Sequence, residues 1–238
     1  MNHKKLILLL AVLTAILLAV GVGFYYFNKS APTKMFEISD QIISDKTSPF
    51  DISITYPKIS GLDELNKEIK DTVESTLKDF KEISLENDSA IKENDPESYA
   101  KYPRSYYLSI SYEKGLIDEN TASIILYVEN FTGGAHGAHY PIAFNYDVKN
   151  KKDIKLSDLF LNQPDYLQKI SDFCSADLKK QILERTQGMD EGWILEGAGP
   201  KEENFSTFMI NKNSITFYFS EYQVAAYALG SFEVVYPL

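Results

Sequence analysis

The sequence contains a single cysteine, Cys174, so no disulfide bond can form within the chain. Histidine is almost as rare, with His3, His136 and His139 only, and Trp193 is the one tryptophan. No serine stands in the G-x-S-x-G pattern of a nucleophile elbow, and no H-E-x-x-H motif is present. These absences exclude a disulfide-rich scaffold, a serine hydrolase of the nucleophile-elbow type and a metalloprotease of the H-E-x-x-H type.

The context of Cys174 predicts a structural thiol. In the segment YLQKISDFCSADLKKQIL, the apolar residues Leu167, Ile170, Leu178 and Ile182 recur with Cys174 at helical spacing. A nucleophilic cysteine needs a nearby base and access to solvent, whereas this spacing places the thiol on the buried face of a helix.

Positive charge is scarce. The chain has 24 Lys and Arg against 34 Asp and Glu, for a net charge of −10. Residues 1–30 hold Lys4, Lys5 and Lys29 and no acid, so residues 31–238 have 24 − 3 = 21 basic against 34 acidic residues, a net charge of −13. This balance argues against nucleic acid and anionic lipid as partners. It favours a cationic partner, or serves only to keep the domain soluble.

One long apolar run lies near the N-terminus. The segment LILLLAVLTAILLAVGVGFYYF, residues 6–27, carries no charge and as a helix, at about 1.5 Å per residue, is long enough to span a bilayer. Lys4 and Lys5 precede it, which predicts a cytoplasmic N-terminus and an extracytoplasmic main chain in the cell membrane. The alternative is a signal peptide cleaved near residues 21–23.

The remaining pattern predicts an α+β fold, with a mainly antiparallel sheet and two amphipathic helices packed on one face. The first half contains a polar tether with a helical turn at residues 36–43, a strand from Phe50 that ends at Pro57, and a helix of about twenty residues from Leu62 to Phe80. An acidic surface loop is expected over residues 84–104, followed by a hairpin of SYYLSISYE and TASIILYVEN.

In the second half, a strand is again followed by a helix and further strands. The strand YPIAFNYDV is followed by the helix that holds Cys174, a polar insertion at residues 184–204, a hairpin of TFMI and SITFYF, and the final strand FEVVYP. The two helix-plus-strand units form separate lobes or share one sheet.

A glycine-rich segment, FTGGAHGAHY at residues 131–140, admits several interpretations. Gly133, Gly134 and Gly137 permit positive φ and close backbone approach, as a tight reversal requires, with His136 bonding backbone groups. Alternatively the loop faces a ligand, with His136 and His139 at its rim. A zinc site would need a third ligand from Asp or Glu, and a hydrolase would use His136 as a base.

Two segments resemble known families. NFTGGAHGAHYPIAFNYDVKNKKDIKLSDLF and FYFSEYQVAAYALGSFEVVYP resemble the C-terminal domain of RsiV-type anti-sigma factors. The segment with ISITYPKISG and its long helix is similar to the domain that precedes the catalytic part of PdaC-type peptidoglycan deacetylases. With the apolar run as an anchor at residues 1–30 and a tether at 31–47, the resemblance implies a PdaC-like domain at 48–130 and an RsiV-like domain at 131–238.

Two parts of these families have no counterpart here. Only MNHKK precedes the apolar run, so the sigma-factor-binding segment is not carried over, and neither is the deacetylase catalytic domain. We therefore expect a non-catalytic binding or sensor module of the cell envelope, without metal or cofactor. Its expected ligand is a cationic protein such as lysozyme or a cell-wall glycan, bound by Gly133, Gly134, His136, Gly137, His139, Trp193, Tyr222 and Tyr227. The alternative is an envelope hydrolase that uses paired carboxylates on peptidoglycan or another polysaccharide.

Overall fold

The computed structural model describes residues 36–102, 104–186 and 191–238. The predicted membrane helix at residues 6–27 and the start of the tether lie outside these ranges. Among the helices of the described ranges, none combines the length and the apolarity needed to cross a membrane.

A six-stranded sheet is formed within residues 38–153. Its strands follow one another in space in sequence order, and only β2 and β3 run parallel. A parallel pair needs a long crossover, which the helix between these two strands provides. The strands are β1 Ile38–Asp45, β2 Phe50–Ile59, β3 Tyr106–Ile117, β4 Thr121–Phe131, β5 Ala138–Asp147 and β6 Lys152–Asp153.

The first strand corrects the prediction of a helical turn in residues 36–43. Strand β1 pairs antiparallel with β2, from Ile38 opposite Ile59 to Asp45 opposite Ile52. It lies at the edge of the sheet, where Ile42 is 73% exposed. Strand β2 also continues through Pro57, because β3 pairs with β2 only as far as Ile54 and the missing N–H of proline therefore breaks no bond to β3.

The predicted first helix is present but longer than expected. Helix α1, Asp63–Asn94, has 32 residues, and the short helix α2, Pro96–Lys101, follows it, so the prediction of an acidic loop over residues 84–104 is wrong. Ser84 is the last buried residue of α1. Beyond it, polar contacts hold the helix to the sheet: the Asn87 amide donates to the Thr132 carbonyl at 2.8 Å, and Asp88 accepts a bond from the Tyr106 hydroxyl at 2.7 Å.

A second, three-stranded sheet closes the chain, as the sequence predicted. It consists of β7 Phe208–Ile210, β8 Ser214–Phe219 and β9 Phe232–Pro237, all antiparallel. Helix α3, Tyr166–Arg185, packs on one face of it, and helix α4, Glu191–Gly197, lies within the predicted polar insertion. Cys174 is fully buried in α3, and burial raises the pKa of its thiol to about 12, so the prediction of a core cysteine is confirmed.

The two sheets pack against each other through a buried hydrogen-bond network. The Ser123 hydroxyl donates to Oδ1 of Asn145 at 2.6 Å and accepts from the Ile210 amide at 2.8 Å, while the Asn145 amide donates to the Phe208 carbonyl at 2.7 Å. These bonds fix strand β7 on the face of the six-stranded sheet that α1 does not cover. The predicted α+β class is confirmed, with α1 on the outer face of one sheet and α3 on the outer face of the other.

Candidate functional site

The glycine turn, residues 132–137, connects β4 to β5, and two of its glycines are required by the backbone. Gly133 has φ of +98°, and a Cβ there would lie 2.9 Å from the ring of Tyr106. Gly137 has no positive φ, but a Cβ would lie 2.7 Å from the Asn130 carbonyl oxygen and 2.9 Å from the Tyr107 hydroxyl. The interpretation of this segment as a tight reversal therefore holds at Gly133 and Gly137.

Gly134 differs from its neighbours. Its φ is not positive, and a Cβ would meet no atom closer than the His136 carbonyl oxygen at 3.9 Å. Of the three glycines expected to serve positive φ or close backbone approach, Gly134 serves neither.

We expect Gly133→Ala to lower the free energy of unfolding by roughly 1–3 kcal/mol, because alanine is strained at this φ and its methyl group meets Tyr106. Gly134→Ala is the matched control in the same turn and should change it by less than about 0.5 kcal/mol. Urea unfolding of both variants measures the difference. Equal stability of the two variants would contradict the conclusion that the turn requires glycine at position 133.

The glycine turn presents His136 to a loop of the second sheet. The carbonyl of Gly137 can only accept, so Nδ1 of His136 carries a hydrogen and donates to it at 2.8 Å. The His136 ring stacks on Tyr227 with centroids 3.9 Å apart, and the Tyr227 hydroxyl donates to the same Gly137 carbonyl at 3.0 Å. Tyr222 completes the group, with its hydroxyl 3.4 Å from Nε2 of His136. We call His136, Tyr222 and Tyr227 the aromatic triad.

Tyr222 is held in an unfavourable backbone conformation. Its φ of +66° lies in the left-handed region that bulky side chains avoid, yet its side chain is 54% exposed. Such strain persists only where surrounding contacts impose it, and it clusters at binding and catalytic sites. Tyr222 therefore combines backbone strain with exposure of its side chain.

A groove of about 630 Å³ adjoins Tyr222 and brings Trp193 into the same region. Gln223 builds its floor, because its amide donates to the carbonyls of Gly197 and Asn204 at 2.9 and 3.0 Å. Trp193, half-buried on α4, lines this groove together with Tyr222. Three of the aromatic residues predicted from the sequence, Trp193, Tyr222 and Tyr227, are therefore brought together with His136.

His139, predicted to lie at the rim with His136, takes a different position. It lies in β5 opposite Glu129, with Nε2 3.9 Å from the carboxylate, and its ring stacks parallel to Tyr127 at 6.5 Å. Within the ranges that the structure describes, no three histidine, cysteine, aspartate or glutamate side chains are placed to hold a metal ion.

Comparisons with known proteins identify the two halves of the chain. The PdaC family, described as "Deacetylase PdaC", matches residues 43–139, and the family described as "Protein of unknown function (DUF3298)" matches residues 157–238. The chain thus joins a region similar to the PdaC family to a region similar to the DUF3298 family. This confirms the architecture predicted from the sequence, a PdaC-like domain followed by a distinct C-terminal domain.

Curated relatives include the peptidoglycan-N-acetylmuramic acid deacetylase PdaC of Bacillus subtilis (strain 168), 29% identical over 92% of this chain and 46% of that protein. The immunogenic protein MPT64 of Mycobacterium tuberculosis is 23% identical over 54% of each chain. The chain thus spans about half the length of the curated relatives it matches. A DUF3298-family crystal structure from Bacteroides fragilis has the same fold, with a TM-score of 0.54 and 22% identity over 87% of this chain and 91% of that one. The PdaC and DUF3298 domains point to a cell-envelope protein.

Proposed function

We propose that the protein is a non-catalytic binding module of the cell envelope and that its ligand contacts the aromatic triad. The main support for this proposal is the strained, exposed Tyr222, whose ring lies beside His136 and the groove lined by Trp193. Exposed aromatic side chains on a rigid support lose little entropy on binding and tend to dominate interface energies.

The support of the triad is rigid because both of its loops are fixed by the fold. The glycine turn is held to α1 by Asn87 and bears on Tyr106. The other loop is held by Gln223, whose side-chain oxygen accepts from the Ser220 amide while its nitrogen bonds α4 and the following turn. A ligand would therefore meet a preformed surface, with little rearrangement on binding.

Charge favours a cationic protein, such as lysozyme, as the ligand. Residues 31–238 carry a net charge of −13, and Glu196 lies in the groove. A negative field speeds the encounter with a basic protein and loses strength as salt is added. A peptidoglycan fragment stacked on the same aromatic rings is the second ligand that this surface could hold.

The test compares two tyrosines of equal exposure. Tyr222 and Tyr102 are both 54% exposed, but Tyr102 lies at the end of α2, outside the triad. We expect Tyr222→Ala to weaken lysozyme binding at least tenfold, as expected for an aromatic interface anchor, and Tyr102→Ala to leave it unchanged. Isothermal titration of the full-length chain with lysozyme, at low and moderate salt, provides the affinities. Equal affinities for the two variants, or no binding to the wild type at micromolar concentrations, would refute lysozyme binding at this surface.

A hydrolase acting on peptidoglycan remains the second candidate function. The Bacillus subtilis relative is a peptidoglycan-N-acetylmuramic acid deacetylase, which favours this function. The wild-type chain should then release acetate or soluble muropeptides from purified peptidoglycan. Under the binding proposal it releases neither.

Membrane attachment through residues 6–27 is part of the same proposal. The run is uncharged and preceded by Lys4 and Lys5. We expect the protein to fractionate with membranes and to be accessible to protease added outside the cell. Recovery of a soluble form whose first residue lies near Phe24 would show cleavage in place of anchoring.

A further inference from the structure

The face of the six-stranded sheet that α1 leaves uncovered carries a row of acidic and aromatic side chains next to the triad. The strand register places Glu129 of β4 opposite His139 of β5, and Tyr127 opposite Pro141 one row further along. Glu113 of β3 stands opposite Ile125, again on this face. His139, at the start of this row, is two residues from Gly137, whose carbonyl accepts hydrogen bonds from the triad. Two residues along a strand span about 7 Å, so the row begins next to the triad.

Tyr127 lies at the centre of the row. Its hydroxyl is 3.2 Å from Oε2 of Glu113, to which it donates, and 3.4 Å from the Tyr218 hydroxyl. Its ring is parallel to His139 and edge-on to Tyr218, with centroids 6.5 and 6.1 Å away. Tyr127 thus contacts Glu113 and His139 of its own sheet and Tyr218 of the second sheet, at the place where the two sheets meet.

Glu233 of β9 lies opposite Tyr218 of β8, on the second sheet, and is close enough to Glu113 and His139 to sense their charges. Loss of solvation, followed by the charge of Glu113, raises the pKa of Glu233, while His139 acts in the opposite direction. We call Glu113, Tyr127, Glu129, His139 and Glu233 the acidic strip.

The negative charge of the acidic strip is not balanced inside the protein. No lysine or arginine in the described part of the chain forms an ion pair with Glu113, Glu129 or Glu233, and the ion pair found among them is that of Glu129 with His139. By contrast, acids elsewhere are paired, including Asp45, Glu64 and Asp165. A carboxylate group in contact with aromatic rings and without a counter-ion is complementary to a guanidinium or ammonium group, which both the charges and the ring faces attract.

We propose that the acidic strip is an interaction surface that receives an arginine or lysine side chain of a basic protein partner. The proposal rests on the proposed function, because the strip continues the surface of the aromatic triad and would bind the same partner. The triad supplies the apolar contact, and the strip supplies the charge contact that fixes the orientation of the partner.

The test removes two charges from the strip and two from elsewhere. Glu113→Gln/Glu233→Gln keeps the size of both side chains, and Glu93→Gln/Glu97→Gln removes the same charge from exposed positions at the ends of α1 and α2. We expect the strip variant to weaken lysozyme binding by the full-length chain about tenfold and to flatten its salt dependence. The control pair should change the affinity by no more than about twofold. Melting temperatures check that both variants fold.

Unchanged affinity of the strip variant, with binding still lost in Tyr222→Ala, would overturn the inference and leave the proposed function intact. If neither the strip variant nor Tyr222→Ala loses binding, both the inference and the proposed function are overturned. If the strip variant instead abolished release of acetate or muropeptides from peptidoglycan, the carboxylates would be catalytic and the inference would be wrong.

A second probe works even if lysozyme does not bind. The chain has only three histidines, so the ring resonances of His139 can be assigned by substitution. N-acetyl-arginine amide should shift them, and the neutral isostere N-acetyl-citrulline amide should not. Absence of a shift with the arginine compound, or an equal shift with both, would overturn the inference.

Discussion

Asn145→Ala should lower the free energy of unfolding by about 3 kcal/mol, although it changes neither the apolar core nor any ionisable group. Asn145 is almost fully buried and Ser123 completely so. Removal of the amide leaves the Ser123 hydroxyl and the Phe208 carbonyl without these partners where water does not reach. Each buried polar group left unpaired costs roughly 1–3 kcal/mol, whereas an exposed hydrogen bond is readily replaced by water.

The measurement is urea unfolding of Asn145→Ala beside Asn94→Ala. Asn94 makes a single hydrogen bond at the exposed end of α1, so its substitution should cost less than about 0.5 kcal/mol. Ser123→Ala combined with Asn145→Ala should cost less than the sum of the single variants, because both remove the same bond. Additive effects would show that the two side chains do not act as one network.

The sequence predicted the strands whose alternation is unambiguous and missed the one at the edge. Strands β3 and β9 bury alternate residues, so their period of two is visible, whereas β4 and β8 are each buried over five consecutive residues and are recognisable as short apolar runs between turns. In β1, Ile38, Ile42 and Ile43 have a spacing that also fits a helix, and Ile42 faces solvent. The pairing of β1 with β2 settles its structure, and pairing is a long-range property that spacing within one segment does not encode.

The end of helix α1 was missed for a related reason. Its apolar period stops at Phe80, and no residue beyond Ser84 is buried. The remaining turns are held by side chains that contact residues far along the chain, such as Asn87 with Thr132. Such polar contacts leave no periodic signal, so the pattern indicated a loop where the structure has a helix.

The site was predicted in its components but not in its arrangement. The glycine turn and the closing motif were both recognised, yet His136 and Tyr222 are 86 residues apart and only the packing of the two sheets brings them together. Glu113 and Glu233 were not predicted at all, because isolated glutamates in strands resemble any exposed position. The Ser123–Asn145 network had one sequence signal, the asparagine of the F-N-Y-D strand, in an otherwise apolar context.

Gly197→Ala should have an effect comparable to that of Asn145→Ala and, in addition, disturb the site. A Cβ on Gly197 would lie 1.8 Å from the Gln223 carbonyl oxygen and 2.6 Å from its carbonyl carbon. These are backbone atoms, so no rotation of a side chain relieves the overlap and the loop that carries Tyr222 must move. Overpacking of this kind costs about 3 kcal/mol, which exceeds the 0.5–1 kcal/mol or so that alanine gains over glycine in a helix.

The displacement should also separate Tyr222 from His136, because Tyr222 directly precedes Gln223 in the chain. We therefore expect Gly197→Ala to lose both stability and ligand affinity, whereas Leu195→Ala, at a position 69% exposed on the same helix, should lose neither. Thermal unfolding and lysozyme titration of the two variants measure these effects. A Gly197→Ala protein that is destabilised but binds with unchanged affinity would show that the ligand does not depend on the position of Tyr222. The ligand would then bind a surface of the molecule other than the aromatic triad.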